Sequence, residues 1–257
     1  MRVHSDLSGL LGLGPGSMLA IMGAGGKATL TRRLTAECLA RGLPVLLTCT
    51  TNLHILRAED VPSLLLKEDL GDWCRAAVEE VERRGALTLV SGKFPKDTLK
   101  GLEVDEVERL RASGFRGVIL VKSDGSRKRL LKAPRPGEPL VPPSATHCLL
   151  VFSLDAIGQR LDGDVVHRPE RVCTLTGREM GSTVDASLLA GLASHPDSYP
   201  GRIPPGALRA FYLSQCAAEG DLEKAGEVFR RLPAGLYDLE VAGDTHSGRF
   251  YVFDREA

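Results

Sequence analysis

The sequence predicts a three-layer α/β fold built on a mostly parallel central sheet. Three observations carry that prediction. Met18–Met22 and Pro44–Thr48 are short apolar runs, and the first ends in glycines. Between them, 27–40 places Leu30, Leu34 and Cys38 at helical spacing and stops at Gly42-Leu43-Pro44. Strand, glycine loop, helix and strand within about 30 residues make a βαβ unit, the building block of a parallel sheet. The same alternation then continues along the chain.

In order, 5–11 reads as a short helix capped by Ser5 or Asp6, broken by Gly14-Pro15-Gly16. After the βαβ unit come a strand at 63–66, a charged amphipathic helix at 69–84 and a strand at 86–90. A helix at 105–112 and a strand at 117–121 follow, then a proline-rich loop at about 132–144 and a strand at 148–152. The stretch 153–205 is loop-rich, with one helix expected near 184–193. Strand 209–214, helix 221–231 and closing strands 237–241 and 249–253 complete the chain. The expected organisation is one α/β nucleotide-binding domain over 1–257 with a loop-rich insertion at about 153–205.

Composition narrows the function classes. The 257 residues are 43% hydrophobic and 26% charged, an ordinary soluble balance, with a formal net charge of zero. A role on nucleic acid or membrane driven by net charge is therefore unsupported. No basic region followed by an apolar core opens the chain, and no apolar run approaches the ~20 residues of a membrane span. A cytoplasmic location is expected. Six cysteines form no C-x-x-C pair and match no zinc module, so they read as buried thiols.

The candidate site starts at Gly23-Ala24-Gly25-Gly26-Lys27-Ala28-Thr29. Glycines between a strand and a helix let backbone approach a phosphate, and the helix start offers free N–H groups at a positive dipole end. Lys27 supplies a charge for β/γ-phosphates. The full phosphate-loop pattern would need Gly at 21 and Ser or Thr at 28, where Ile21 and Ala28 stand, so either Thr29 supplies the Mg²⁺-binding hydroxyl, or the metal is held differently, or hydrolysis is weak. Gly23-x-Gly25-x-x-Ala28 also fits a dinucleotide fingerprint, but no acid ends the next strand before Glu59. A plain tight turn is the third reading. Thr50 and Thr51, just past the second strand, can offer hydroxyls to a phosphate.

Asp124 lies just beyond the apolar run 118–121, where a nucleotide protein holds Mg²⁺, although Asp124-Gly125 also reads as a turn. Arg127, Lys128, Arg129 and Lys132 follow, a run suited to an anionic ligand. The enzymatic reading gives Lys27, Asp124, Arg127 and Lys132 the catalytic roles in hydrolysis or phosphoryl or nucleotidyl transfer, with Thr29 and Asp124 on the metal. The second reading is a nucleotide-gated binding module with negligible turnover. A third gives Cys49 a direct selenium or sulfur role.

Gly23–Lys27, Thr50-Thr51 with His54-Ile55, Asp124-Gly125-Ser126, Leu131-Lys132-Ala133-Pro134, Glu138-Pro139 and Val166-His167-Arg168 occur in this order. Over about residues 10–235 this set resembles the YqeC family, described as accessory proteins of selenium-dependent molybdenum hydroxylases. The resemblance implies a P-loop NTPase-like fold. It also implies a role in maturing the selenium-containing molybdenum cofactor, while Lys27, Thr29 and Asp124 themselves call for ATP or another nucleoside triphosphate and Mg²⁺ as cofactors. The implied partners are a molybdopterin-type cofactor or a molybdenum hydroxylase. The chain departs from the family pattern at Ala28, where a hydroxyl residue is usual, at Lys122, where the pattern has Glu, and in Thr48-Cys49-Thr50-Thr51-Asn52.

Overall fold

A computed structural model describes residues 2–54, 62–95 and 98–253. The elements are β1 (Arg2–His4), α1 (Leu7–Leu10), β2 (Met18–Gly23), α2 (Lys27–Ala40), β3 (Val45–Cys49), β4 (Leu53–His54) and β5 (Leu64–Leu66). Next come α3 (Trp73–Arg84), β6 (Ala86–Val90), β7 (Gly92–Phe94), β8 (Thr98–Lys100), α4 (Val104–Ala112), β9 (Val118–Lys122) and β10 (Leu131–Lys132). The remainder are β11 (His147–Ser153), β12 (Val166–His167), α5 (Pro169–Thr176), α6 (Ala186–Ser194), β13 (Leu208–Ser214), α7 (Asp221–Arg230), β14 (Leu239–Asp244) and β15 (Arg249–Val252).

Ten strands form one sheet in the order β1-β15-β14-β13-β11-β2-β9-β3-β6-β5. The eight from β14 to β5 run parallel, and β15 and β1 close one edge antiparallel. The expected mixed α/β architecture with a mostly parallel sheet is therefore present. Strands buried on both faces explain why the central runs are continuously apolar rather than alternating. One face carries Leu19, Ile21, Leu47, Leu120 and Val151 against Leu30, Leu34 and Cys38 of α2. The other carries Ala20, Met22, Ile119, Leu150, Phe152 and Phe211 against residues of α3 through α7. Helices thus cover both faces, giving three layers.

The strand order has a feature that sequence adjacency hides. β3 follows β2 through α2, yet β9 lies between them, and the connection from β9 to β11 passes across the end of β2. The chain reverses its direction of sheet-building at β2. In open α/β sheets the crevice beyond such a reversal is where ligands sit. The connection 123–146 is delivered there by topology.

Several elements differ from expectation for local reasons. The helix read from 69 begins at Trp73, because Lys67–Asp69 forms a separate 3-10 turn and the Asp72 carboxylate caps the Arg75 amide. Within 153–205, α5 adds to the expected helix α6; its cap residue is Arg168 in a left-handed conformation, which no capping pattern announces. The ladders β10–β12, parallel, and β4–β8–β7, antiparallel, use strands of two or three residues and escape periodicity.

Candidate functional site

The glycine loop turns between β2 and α2, and its geometry is set by backbone contacts. Gly25 has φ +79° and an added Cβ would lie 2.5 Å from Ser153 Cβ and 2.9 Å from the Leu130 carbonyl oxygen. Gly26, at φ +92°, faces open space apart from Ser214 Oγ at 3.6 Å. Ser214 Oγ donates to the Gly25 carbonyl at 2.7 Å and so pins the loop to the end of β13. Gly25→Ala should therefore destabilise the chain roughly twice as much as Gly26→Ala, which carries only the left-handed strain of about 1–2 kcal/mol. Urea denaturation of the two variants checks this ordering.

The loop's donors divide into two groups. The Gly23 amide donates to Asp124 Oδ2 at 3.1 Å, the Ala24 amide to the Val151 carbonyl at 2.8 Å and the Gly25 amide to the Arg129 carbonyl at 3.2 Å. These three hold the loop's own shape. Helix α2 then opens on Gly26 with no side-chain cap and no acid in its first turn. The carboxylates of Asp6, Asp72 and Asp185, by contrast, cap α1, α3 and α6. Gly26 is exposed and Ala28 and Thr29 are half-buried in that first turn, so its amides have no side-chain cap, as at the starts of α5 and α7.

Lys27 is stowed inside. Its Nζ donates to the Gly23 carbonyl, to the Asp124 carbonyl at 3.1 Å and to Asp124 Oδ1, which uses all three ammonium protons. Burial pulls this ammonium down to about 8; Asp124 opposes the fall, while Lys122 and Lys132 add to it. Lys122 ends β9 in register with Ile21 of β2 and Cys49 of β3. Asp124 is fully buried, and Lys132 Nζ reaches its Oδ2 at 3.1 Å.

The network continues outward. Lys132 also pairs with Glu138 Oε2 at 3.1 Å, and Glu138 is held by Arg168 at 2.7 and 3.2 Å and by Arg135 at 2.9 Å. Tyr199 Oη donates to the Lys132 carbonyl at 3.0 Å. Burial would raise the Glu138 carboxyl, but the Arg168 hydrogen bond and the Lys132 charge hold it down at about 2. Such a group stabilises the fold fully above its ordinary value of 4.5, and that contribution is lost as pH falls through about 2. Wild type should therefore lose melting temperature between about pH 4.5 and 2, and Glu138→Gln should show a flatter profile over that window. Burial pushes His167 down to about 4, helped by the charges of Arg168, Lys132 and Arg127, so it is neutral at physiological pH.

Of the residues expected at the site, the structure joins Gly23, Lys27, Asp124 and Lys132 in direct contact. Arg127 is exposed, with φ +48°. The Thr50 hydroxyl donates to the Leu140 carbonyl at 2.7 Å, and those of Thr48 and Thr51 are buried without a partner among the described residues. Ile55 and Glu59 lie outside the described residues. Cys49 is fully buried, and burial pushes its thiol up to about 11, the reverse of a reactive thiolate, so the direct sulfur or selenium role is not carried forward. Glu138 and Arg168 stood in the sequence only as motif letters; what joins them to the site is the β10–β12 ladder, which sets Lys132 beside His167.

Magnesium fits this donor set poorly. Both Asp124 oxygens are already engaged by cations, position 28 has no hydroxyl, and no group of three or more His, Cys, Asp or Glu among the described residues is arranged to hold a metal. No described helix is long and apolar enough to cross a membrane.

Comparison with known proteins adds family context. A protein of Streptococcus suis (strain 05ZYH33) named ATP-dependent 6-phosphofructokinase is 24% identical over 143 residues, 50% of this chain and 42% of that protein. A protein of Escherichia coli (strain K12) named Uncharacterized protein YqeC is 26% identical over 205 residues, 78% of this chain and 77% of its own length. The profile described as YqeC protein matches residues 19–170, which contain the glycine loop, Lys27, Asp124, Lys132, Glu138 and Arg168. The chain belongs to the YqeC family.

Proposed function

We propose that this chain binds a nucleoside triphosphate, ATP foremost, at the start of α2 and serves as an accessory protein in maturing the selenium-containing molybdenum cofactor of hydroxylases. The observation that carries the nucleotide reading is the pairing of an uncapped helix start with a buried lysine whose counter-ion has a second cation in reserve. A phosphate chain at Gly26–Thr29 offers Lys27 an anionic partner. Lys27 can turn to it because Lys132 remains on Asp124 and keeps that carboxylate neutralised. The P-loop NTPase-like assignment is supported by the glycine loop on a central strand and by the reversal of strand order beside it. A relative whose name states dependence on ATP shares half the chain.

Between turnover and gating, the geometry favours gating. Asp124 and Glu138 are both spent on cations, which leaves neither to activate water or an acceptor hydroxyl. Nucleotide binding would instead redistribute the ion pairs from Lys27 through Lys132 to Arg168 and so report occupancy to the 166–199 region, where a pterin-type cofactor or a partner hydroxylase would be sensed. Calorimetric titration of ATP, GTP and CTP onto wild type and Lys27→Ala, with product analysis of the same mixtures, tests both parts. Unchanged affinity in the variant ends the nucleotide assignment, and sustained product formation that disappears in Asp124→Ala returns the chain to the enzymes.

A further inference from the structure

We infer that the glycine loop takes its polyphosphate free of divalent metal, with Lys27 turned to the phosphates and Lys122 supplying the positive charge that magnesium would otherwise bring, while Lys132 neutralises Asp124. This rests on the triphosphate reading above and specifies the form of the ligand.

Four observations converge. Asp124 is the acid that follows the strand beside the loop, the place of a metal-binding carboxylate, yet its Oδ1 receives Lys27 and its Oδ2 receives Lys132 and the Gly23 amide. A divalent cation entering there would have to displace ammonium groups and then remain beside them, unfavourable on both counts. Ala28 removes the hydroxyl that would complete the metal's coordination. Lys122 occupies the end of β9 between the ends of β2 and β3, close enough for its charge to act on Lys27. Among the described residues, the wider network gathers Lys27, Lys132, Arg135 and Arg168 around the carboxylates of Asp124 and Glu138.

Physical chemistry turns this into a preference. Magnesium helps a protein hold a polyphosphate mainly by offsetting its negative charge. Where lysines already do so, the metal complex presents less charge to them than the free anion and brings its own repulsion. When Lys27 turns to the phosphates, Lys132 holds Asp124, so the acid is not released to recruit a metal.

The test is isothermal titration of the full chain with ATP, GTP, CTP and inorganic tripolyphosphate, in EDTA and in excess Mg²⁺. The expected result is that Mg²⁺ gives no gain in affinity, and that the metal-free anions bind equally well or up to about tenfold more tightly. Lys122→Glu should weaken metal-free binding on the order of tenfold or more and make binding improve with Mg²⁺. Lys122→Met, checked for folding by circular dichroism, should weaken metal-free binding without introducing an acid. Tighter binding in Mg²⁺ by wild type overturns the inference and leaves the triphosphate reading standing. Absence of binding by every probe in both buffers overturns both. Metal-free binding by Lys122→Met equal to wild type overturns the part assigned to Lys122.

Discussion

Replacing Asp124 with Ala should lower the stability of the ligand-free chain by about 3–5 kcal/mol, the usual cost of removing one partner from a buried ion pair. The reason is what remains. Lys27 and Lys132 are almost wholly buried and both point at the missing carboxylate. Lys132 keeps Glu138, but Lys27 is left with two carbonyl oxygens and no anion. The Gly23 amide loses its acceptor as well, so the loop loses one of its anchors. Urea denaturation should show a lower midpoint with an unchanged slope, since the surface exposed on unfolding hardly changes. A loss below about 1 kcal/mol would mean that the lysines reach water without cost and that the pair is not the sealed unit described above. The double variant Asp124→Ala/Lys27→Met should recover part of the loss, because the orphaned ammonium goes with it; the two changes share a partner and should not be additive.

Lys27→Ala should behave differently, with a modest effect on folding and a large one on ligand. Asp124 retains Lys132 and the Gly23 amide after the substitution, so no carboxylate is left uncompensated. A triphosphate loses its charged partner at the start of α2. A hydrogen bond involving a charged group contributes roughly 1.5–3 kcal/mol, so affinity should fall about 10- to 100-fold by calorimetry. Lys27→Arg should recover little, because the planar guanidinium cannot reproduce the three convergent bonds that the buried ammonium makes.

Much of this was legible in the sequence because the relevant signals are local. β2, α2, β3 and β9 are apolar runs and helical spacings bounded by glycine and proline, and those patterns follow directly from burial on both faces of a sheet. Lys27 and Asp124, which the structure pairs, were legible as neighbours because each follows the end of one of two adjacent parallel strands, β2 and β9. What was not legible depends on distant chain. The insertion of β9 between β2 and β3 is a choice among strand orders that the local pattern permits equally. The ion pair of Asp124 with Lys132 was not legible, because it depends on Lys132 folding back across the 125–131 turn, which contains Arg127 and Lys128 at positive φ. The bond from the Thr50 hydroxyl to the Leu140 carbonyl was likewise not legible, because the proline-rich loop that supplies the acceptor lies 90 residues on. Arg168 as the cap of α5 matches no common cap preference; its side chain instead pairs with Glu138 and donates to the Ala133 carbonyl.

The bond from Ser214 to the Gly25 carbonyl joins residues 189 positions apart, and that from Gly23 to Asp124 spans 101. The loop is encoded near the start of the chain but is finished by its last quarter. During translation the glycines and Lys27 leave the ribosome long before β13 exists to hold them, so nascent chains carry an unassembled loop for most of synthesis. Parallel pairing across such separations is slow to form, because the loop-closure entropy must be met before the contacts can repay it. Closure of the loop therefore waits for β13, and a truncated product ending before Ser214 lacks the bond that closes it.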